Sequence, residues 1–245
     1  MNESNSITPQ TALFGFIAES AQSNRFSVTL NRMFKEHQDN AMMIPMNIRE
    51  DDLYFTLSNM RRSHLKGAYI APEYRHALPE LLDTLEDKRA FYDFVWIRDE
   101  QLMAQNVLPH AISSYMMHLG VTRIAIIGSG ALAAALEKVL VGLHVSYFDP
   151  HIEALMQLSQ YLGKEIDINR LAQGMQVDLS GYDIVIDTSK MKDFSMITAL
   201  APYVLQLENE NTNLAQMADT YIDYAAFLPH LCEETYTMIH KEIVP

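Results

Sequence analysis

A two-domain α/β fold is the architecture this sequence predicts, on three observations. Strand-like apolar runs alternate with amphipathic helical stretches from Ala12 onwards, the pattern of parallel sheets covered by helices. The run Val121-Thr-Arg-Ile-Ala-Ile-Ile-Gly-Ser-Gly-Ala-Leu-Ala-Ala-Ala-Leu136, answered by Val145-Ser-Tyr-Phe-Asp149, reads as buried strand, glycine turn, helix and second strand ending in an acid. A chain of 245 residues, 49% of them hydrophobic, can bury a sizeable core and is too apolar for disorder. The pattern falls into two α/β halves joined near a helix over residues 109–119, the second half being a doubly wound, Rossmann-type dinucleotide-binding domain over 109–229.

Residues 1–11 are largely polar and read as a frayed tail. Ala12–Ala18 is an apolar strand, Glu19–Asn24 a polar loop, and Phe26–Glu36 an amphipathic helix. Met42–Asn47 is the second strand, and Glu50–Ser63 a helix with Leu53, Leu57 and Met60 on one face. Leu65–Ala71 is the third strand, ended by Pro72, and these three strands are expected to share one sheet. Ala77–Asp83 reads as helical, Phe94–Ile97 as extended and Leu108–His118 as helical. In the second half come the strand Ile124–Ile127, a helix from Gly130, the strand Val145–Asp149 and a helix over His151–Leu162. The strands Asp183–Asp187 and Tyr203–Leu207 follow, and two closing helices run to the C-terminus.

The glycine turn carries the chemistry. Gly128 permits a tight turn, Gly130 lets a pyrophosphate approach the backbone, and Ala133 stands where a third glycine would bring helix and strand together. The helix begun at Gly130, Ala131 and Leu132 points its free N–H groups and positive dipole end at the turn, a ready anion site. Asp149, twenty-one residues after Gly128, has the spacing of an acid that binds a ribose 2′-hydroxyl. The competing reading is an ordinary α/β turn with an unrelated surface aspartate.

Bulk properties exclude several classes. The formal charge of −13 is spread along the chain, without the basic face a nucleic-acid reader needs. A single cysteine, Cys232, rules out an internal disulfide and a cysteine-based metal cluster, and the nine histidines show no H-E-x-x-H or comparable ligand spacing, so no metal is expected. No signal peptide is visible and no apolar run approaches the roughly 18 residues of a membrane span, so a soluble, cytoplasmic protein without membrane partners is expected. Most of the fifteen methionines serve adaptable packing.

From about Ala12 to Ser189 the chain resembles the shikimate dehydrogenases, in degraded form. Their G-x-P-I-x-H-S-x-S-P matches Gly15-Phe-Ile-Ala-Glu-Ser-Ala-Gln-Ser-Asn24 with one residue inserted, so that Ser20 and Ser23 fall on the two serines that bind the substrate carboxylate. Their G-x-N-V-T-x-P-x-K corresponds to Gly67–Arg75: the asparagine is Tyr69, the threonine Ala71, and the lysine Arg75, or Tyr74 if the prolines are aligned. A-V-N-T falls on Phe94–Ile97, which puts Trp96 at a substrate-binding asparagine; in G-x-N-T-D-G, Asn106 survives while the catalytic aspartate becomes Leu108. N-A-T-S, the turn over the cofactor, appears in outline as Asp187-Thr188-Ser189-Lys190.

The resemblance implies a smaller substrate domain over 12–108, completed by a last helix over about 230–245, and a cleft between the halves. It implies a cofactor site at Gly128, Ser129, Gly130, Ala131, Leu132, Asp149, Thr188 and Ser189. The substrate pocket it implies contains Ser20, Ser23, Tyr69, Arg75, Trp96 and Asn106, and takes a small polar or carboxylate-bearing metabolite. A homodimer is compatible with the same likeness. Where NADP-preferring members place N-R-T, this chain has Asp149-Pro-His151, so NAD is favoured over NADP.

The family oxidises a secondary alcohol, with lysine and aspartate managing the proton and nicotinamide taking the hydride. Arginine cannot serve as a base near neutral pH, and leucine carries no proton at all. Losing both groups removes about 10² to 10⁴ in rate for each positioned acid or base. Tyr74, His76 and His110 adjoin the eroded segments and are candidate replacements, against the plainer reading of the two histidines as exposed helix starts. Two functions therefore stand open: an NAD-linked oxidoreductase with an altered substrate or with shikimate activity lost, and a silent pseudoenzyme that binds a nucleotide, metabolite or protein partner.

Overall fold

The computed structural model describes residues 7–83, 90–208 and 213–243. The chain divides into two compact units, Met1–Leu108 with Pro229–Pro245, and Pro109–Leu228.

The first unit contains β1 (Ala12–Ala18), α1 (Phe26–Glu36), β2 (Ala41–Asn47), α2 (Glu50–Met60), β3 (Leu65–Ile70), α3 (Leu78–Leu81), β4 (Phe94–Arg98) and β5 (Gln101–Gln105). Its five-stranded sheet has the order β2-β1-β3-β4-β5. The first three strands are parallel, as expected, but β3 with β4 and β4 with β5 pair antiparallel, so the sheet is mixed. β4 alone runs against the other four strands, and a two-residue hairpin turn at Asp99 (φ 50°) and Glu100 (φ 63°), both in the left-handed region, turns β5 back against it. Asp-Glu replaces the Asn-Gly or Asp-Gly that would announce such a turn, which is why β5 was not foreseen.

Alternation along the strands gives the sheet two apolar faces. Phe16 and Tyr69 stack with Phe26 of α1 at centroid distances of 5.2 and 4.4 Å, and Phe14 meets Phe34 at 6.1 Å. On the other face Ile17, Ala68, Ile70, Val95 and Leu102 pack with Leu53, Leu57 and Met60 of α2 and with Leu78. The α2 helix stops at Met60, three residues short of expectation, where Ser63 turns back to donate to the Met60 carbonyl at 3.0 Å. The helix expected over 77–83 is a single turn, because Asp83 leaves it to accept hydrogen bonds from Arg61 (2.5 Å) and the Leu102 N–H (2.7 Å).

Of the expected frayed tail, residues 1–6 lie outside the described residues, and residues 8–11 are anchored. The Thr11 hydroxyl donates to Asn40 at 2.8 Å, and Thr8 N–H to the Thr11 hydroxyl at 2.9 Å. At the other end, α8 (Tyr224–Glu242) joins the first unit from Pro229 onwards. Tyr236 donates to Asp39 at 2.7 Å, and Arg98 pairs with Glu242 at 3.2 Å. Cys232 is fully buried there, and burial pushes its thiol up to about 12, which suits packing and not reactivity.

The second unit contains α4 (Leu108–Leu119, entered from the first unit), β6 (Arg123–Ile127), α5 (Ala131–Val139), β7 (His144–Asp149), α6 (Ile152–Leu162), β8 (Asp167–Arg170), β9 (Val177–Asp178), β10 (Ile184–Asp187), β11 (Ile197–Ala199), β12 (Tyr203–Gln206), α7 (Leu214–Met217) and β13 (Thr220–Ile222). Six of these strands form an all-parallel sheet in the order β13-β12-β10-β6-β7-β8. The winding reverses between β6 and β10, and a crevice opens outside the carboxyl ends of the strands at such a switch point. Short strands β8, β9, β11 and β13, of two to four residues each, escaped the sequence reading because so few positions establish no periodicity. Among the described residues β9 and β11 pair only with each other, over the cluster of Leu179, Phe194, Met196 and Ile197.

Asp183 ties the entrances of β10 and β6 together. Its carboxylate accepts hydrogen bonds from the Thr122 N–H (2.7 Å), the Arg123 N–H (2.8 Å) and the Thr122 hydroxyl (3.1 Å). The two backbone donors hold its carboxyl below the ordinary carboxylate range. A depressed folded-state value contributes stability above the unfolded pKa, near 3.9, and loses it as pH falls through the folded value. Asp183→Asn should therefore flatten the acid limb of a melting-temperature profile below about pH 4. An unchanged acid limb would show that other carboxylates set it.

Candidate functional site

The carboxyl ends of β6, β7 and β10 assemble the candidate dinucleotide site. Gly128 follows β6 with φ +112°, a conformation L side chains rarely adopt, and its N–H donates to the Phe148 carbonyl at 2.8 Å. A Cβ there would meet the Thr188 hydroxyl oxygen at 2.6 Å and the Ser189 nitrogen at 3.1 Å. Thr188 is held in place by its own N–H and hydroxyl, which both donate to the Ile127 carbonyl at 2.8 and 2.9 Å. Two residues on, Gly130 caps α5, and a Cβ on it would meet nothing within 4 Å. The backbone is therefore bare where α5 begins, with Ala131 exposed and Leu132 half-buried. Ala133, fully buried, fills the position expected of the helix–sheet contact.

Asp149 ends β7 with one oxygen accepting from the Ser129 hydroxyl (2.8 Å) and the other from the His151 N–H (2.8 Å). Each carboxylate oxygen keeps a second acceptor position, so ribose hydroxyls remain within its capacity. Asp187, at the end of β10, is the better-buried acid. It accepts from the Ser189 N–H and hydroxyl (2.9 and 2.7 Å) and from the Gln206 amide (2.6 Å), and Gln206 in turn accepts from the Tyr221 hydroxyl at 2.9 Å. Burial pushes the Asp187 carboxyl up, against the lowering effect of Ser189 and Gln206. The network fixes the Thr188–Ser189 turn beneath Gly128. Sequence reading named Thr188 and Ser189 but missed Gln206 and Tyr221; the available signal was a buried amide ending the apolar run of β12.

In the first unit, the substrate candidates converge only in part. The Ser20–Ser23 loop follows β1, and the Ser23 hydroxyl donates to the Ser20 carbonyl at 2.7 Å, while Ser20 is exposed. Glu19 N–H donates to Glu73 at 3.1 Å, which brings this loop beside the turn carrying Tyr74, Arg75 and His76. Arg75 donates through Nε to the Ile70 carbonyl (3.2 Å) and through Nη2 to the Tyr69 hydroxyl (3.0 Å), with its guanidinium 5.2 Å from the Phe91 ring centroid. Tyr69, expected in the substrate pocket, is 1% exposed, with its ring in the core. Trp96 is likewise buried, opposite Gly67 and Met103 and away from the strand ends; its indole N–H has no hydrogen-bond partner among the described residues.

The residue that reaches this end of the sheet is Asp93, just before β4, which the sequence reading passed over. It is fully buried, and its two oxygens accept from the Val107 N–H (2.6 Å) and Leu108 N–H (2.7 Å) at the start of α4. The Tyr69 hydroxyl lies 3.5 Å from it, bridging towards Arg75. Burial pushes the Asp93 carboxyl up, while Arg75 and the two N–H groups act in the opposite direction. A cation and a carboxylate thus stand near the two eroded catalytic positions, but both are committed to internal bonds. Leu108 is buried, and Asn106 half-buried between β5 and α4.

The candidate replacements fare unequally. The Tyr74 hydroxyl donates to the Ile48 carbonyl at 2.5 Å, and burial with Glu19, Glu73 and Glu50 pushes its phenol above the ordinary range, which makes it a poor base. His76 is exposed, 3.5 Å from Glu50, and His110 is exposed on the first turn of α4. Among the described residues no cluster of three or more His, Cys, Asp or Glu could hold a metal, and no helix is long and apolar enough to cross a membrane.

No family model matches this sequence, and no curated protein matches it. Solved structures do match. Shikimate dehydrogenase from Aquifex aeolicus superposes with TM-score 0.74 at 17% identity, covering 98% of this chain and 96% of that one. An Ael1 enzyme from Pseudomonas putida gives TM-score 0.75 at 14% identity over 96% and 99% of the two chains. Shikimate 5-dehydrogenase from Listeria monocytogenes, in complex with shikimate and NAD, gives 0.73 at 13% identity over 98% and 95%. At such identities the likeness is one of fold: this chain has the shikimate dehydrogenase fold, a Rossmann-type unit and a second α/β unit.

Proposed function

We propose that the chain is an NAD-binding oxidoreductase of the shikimate dehydrogenase type whose substrate is a small carboxylate-bearing metabolite other than shikimate. The observation that supports it is the switch-point cradle: Gly128 packed on Thr188, bare backbone at Gly130, and the Asp149 carboxylate beside Ser129. Gly130 and the first N–H groups of α5 would hold the pyrophosphate, Asp149 the adenosine ribose, and the Thr188–Ser189 turn the far side of the cofactor. When bound, the nicotinamide supplies hydride acceptance or donation. Ser20, Ser23, Arg75 and Asn106 are the first unit's candidates for the substrate carboxylate, arginine being suited to bidentate pairing. A second reading, the silent binder of a nucleotide, metabolite or protein, is favoured by one observation. Leu108 carries no proton, and Arg75 and Asp93 spend their hydrogen bonds on the fold.

Titration calorimetry with NAD and NADP separates the readings, followed by assays with shikimate and quinate over a range of pH. NAD is expected to bind, more tightly than NADP, because a carboxylate at Asp149 repels a 2′-phosphate. Turnover of shikimate or quinate should not exceed traces, since ring hydroxyls would lack buried partners at about 1–3 kcal/mol each. Robust shikimate oxidation would overturn the loss of that reaction. Absence of heat with either dinucleotide would favour a partner-binding protein.

A further inference from the structure

We infer that Arg170 gives the adenosine end of this site a hold on a 2′-phosphate, so that NADP binds measurably beside the favoured NAD; the inference rests on the dinucleotide site proposed above. β7 and β8 run parallel, with Asp149 in register with Arg170. In-register residues on neighbouring strands lie about 4.8 Å apart and point to the same face of the sheet. The backbone continues the match beyond the pair, since Leu171 N–H donates to the Asp149 carbonyl at 3.0 Å. Asp149 therefore has Ser129 on its β6 side and Arg170 on its β8 side.

An arginine beside an aspartate would ordinarily pair with it, yet no such pair forms. Asp149 has one oxygen on the Ser129 hydroxyl and the other on the His151 N–H, which turns the carboxylate towards the glycine loop. Arg170 is exposed, and its side chain makes no hydrogen bond or ion pair among the described residues. A guanidinium left unspent at the carboxyl end of a Rossmann strand, one strand from the ribose acid, is a bidentate donor for a phosphate monoester. Asp149, ending β7, and Glu153, in the first turn of α6, are the acids that oppose a 2′-phosphate there. Asp149 sets the preference for a free ribose, and Arg170 limits the penalty for a phosphorylated one.

Calorimetric titration of the full chain with NAD, NADP and 2′,5′-ADP, repeated for Arg170→Ala and Arg170→Lys, tests this. Arg170→Ala should weaken NADP and 2′,5′-ADP binding about tenfold while NAD stays within about twofold, and Arg170→Lys should recover part of the loss. NADP affinity should also fall more steeply with added salt than NAD affinity. NAD binding with an NADP affinity that Arg170→Ala leaves unchanged, or with no NADP binding at all, overturns the role of Arg170 alone. If neither dinucleotide binds, the dinucleotide site falls and this inference with it.

Discussion

Replacing Asp93 with alanine should destabilise the first unit by about 3–5 kcal/mol, the largest stability effect expected of a single polar substitution in this chain. The substitution strands two buried backbone donors, Val107 N–H and Leu108 N–H, which Asp93 satisfies at 2.6 and 2.7 Å. It also removes the carboxylate whose charge Arg75 answers, leaving a half-buried guanidinium with one acid fewer. Asparagine keeps one acceptor oxygen but must turn an NH₂ towards one of the two N–H groups, so Asp93→Asn should cost less, about 1–3 kcal/mol. The single tryptophan, Trp96, lies in β4 and reports on this unit directly, so urea unfolding followed by its fluorescence is the measurement. A loss under about 1 kcal/mol for Asp93→Ala would mean that water reaches the start of α4, and that Asp93 is no anchor.

Asp93 also marks where the sequence stopped being legible. The glycine loop could be read because its demands are local: a residue at positive φ, a bare backbone, and an acid a fixed distance on. Gly128, Gly130 and Asp149 meet those demands within one βαβ unit. The first unit's candidate site has no such grammar. Its residues come from the loop after β1, the turn after β3, the start of β4 and the end of β5, and which of them meet depends on a hairpin whose Asp-Glu turn carries no glycine. A match of residue types along the chain put Trp96 near the pocket, whereas the antiparallel register of β4 carries Trp96 away from the strand ends and presents Asp93 there. The place of Tyr69 is hidden for a related reason. Its place in a motif puts it in the substrate pocket, while the alternation of β3 sends its ring into the Phe16–Phe26 stack and its hydroxyl to Arg75. At Leu108 the sequence shows a side chain without a proton, and nothing in it announces that the backbone N–H donates to Asp93.

Gly130 and Gly128 should part company when each is replaced by alanine, and the contrast tests whether the cradle is a binding site or only a turn. At Gly130 φ is −78° and ψ −172°, which alanine adopts without strain, and the added Cβ meets nothing within 4 Å. Gly130→Ala should leave stability within about 0.5 kcal/mol of the parent. If a pyrophosphate approaches the backbone there, the same methyl group stands in its way, and NAD affinity should fall by at least about tenfold, or about 1.4 kcal/mol. Gly128→Ala is different in kind. Its φ of +112° opposes any L side chain, and its Cβ would lie 2.6 Å from the Thr188 hydroxyl oxygen. The Thr188 turn cannot give way cheaply, since Thr188 is tied to the Ile127 carbonyl and Ser189 to Asp187. Gly128→Ala should therefore lower stability by about 1–3 kcal/mol in addition to any effect on binding. Thermal unfolding and NAD titration on both variants give the four numbers needed. A Gly130→Ala protein that folds normally but no longer takes up NAD can be explained only by a ligand that needs the bare backbone; one that binds NAD as well as the parent would reduce the glycine loop to an ordinary α/β turn.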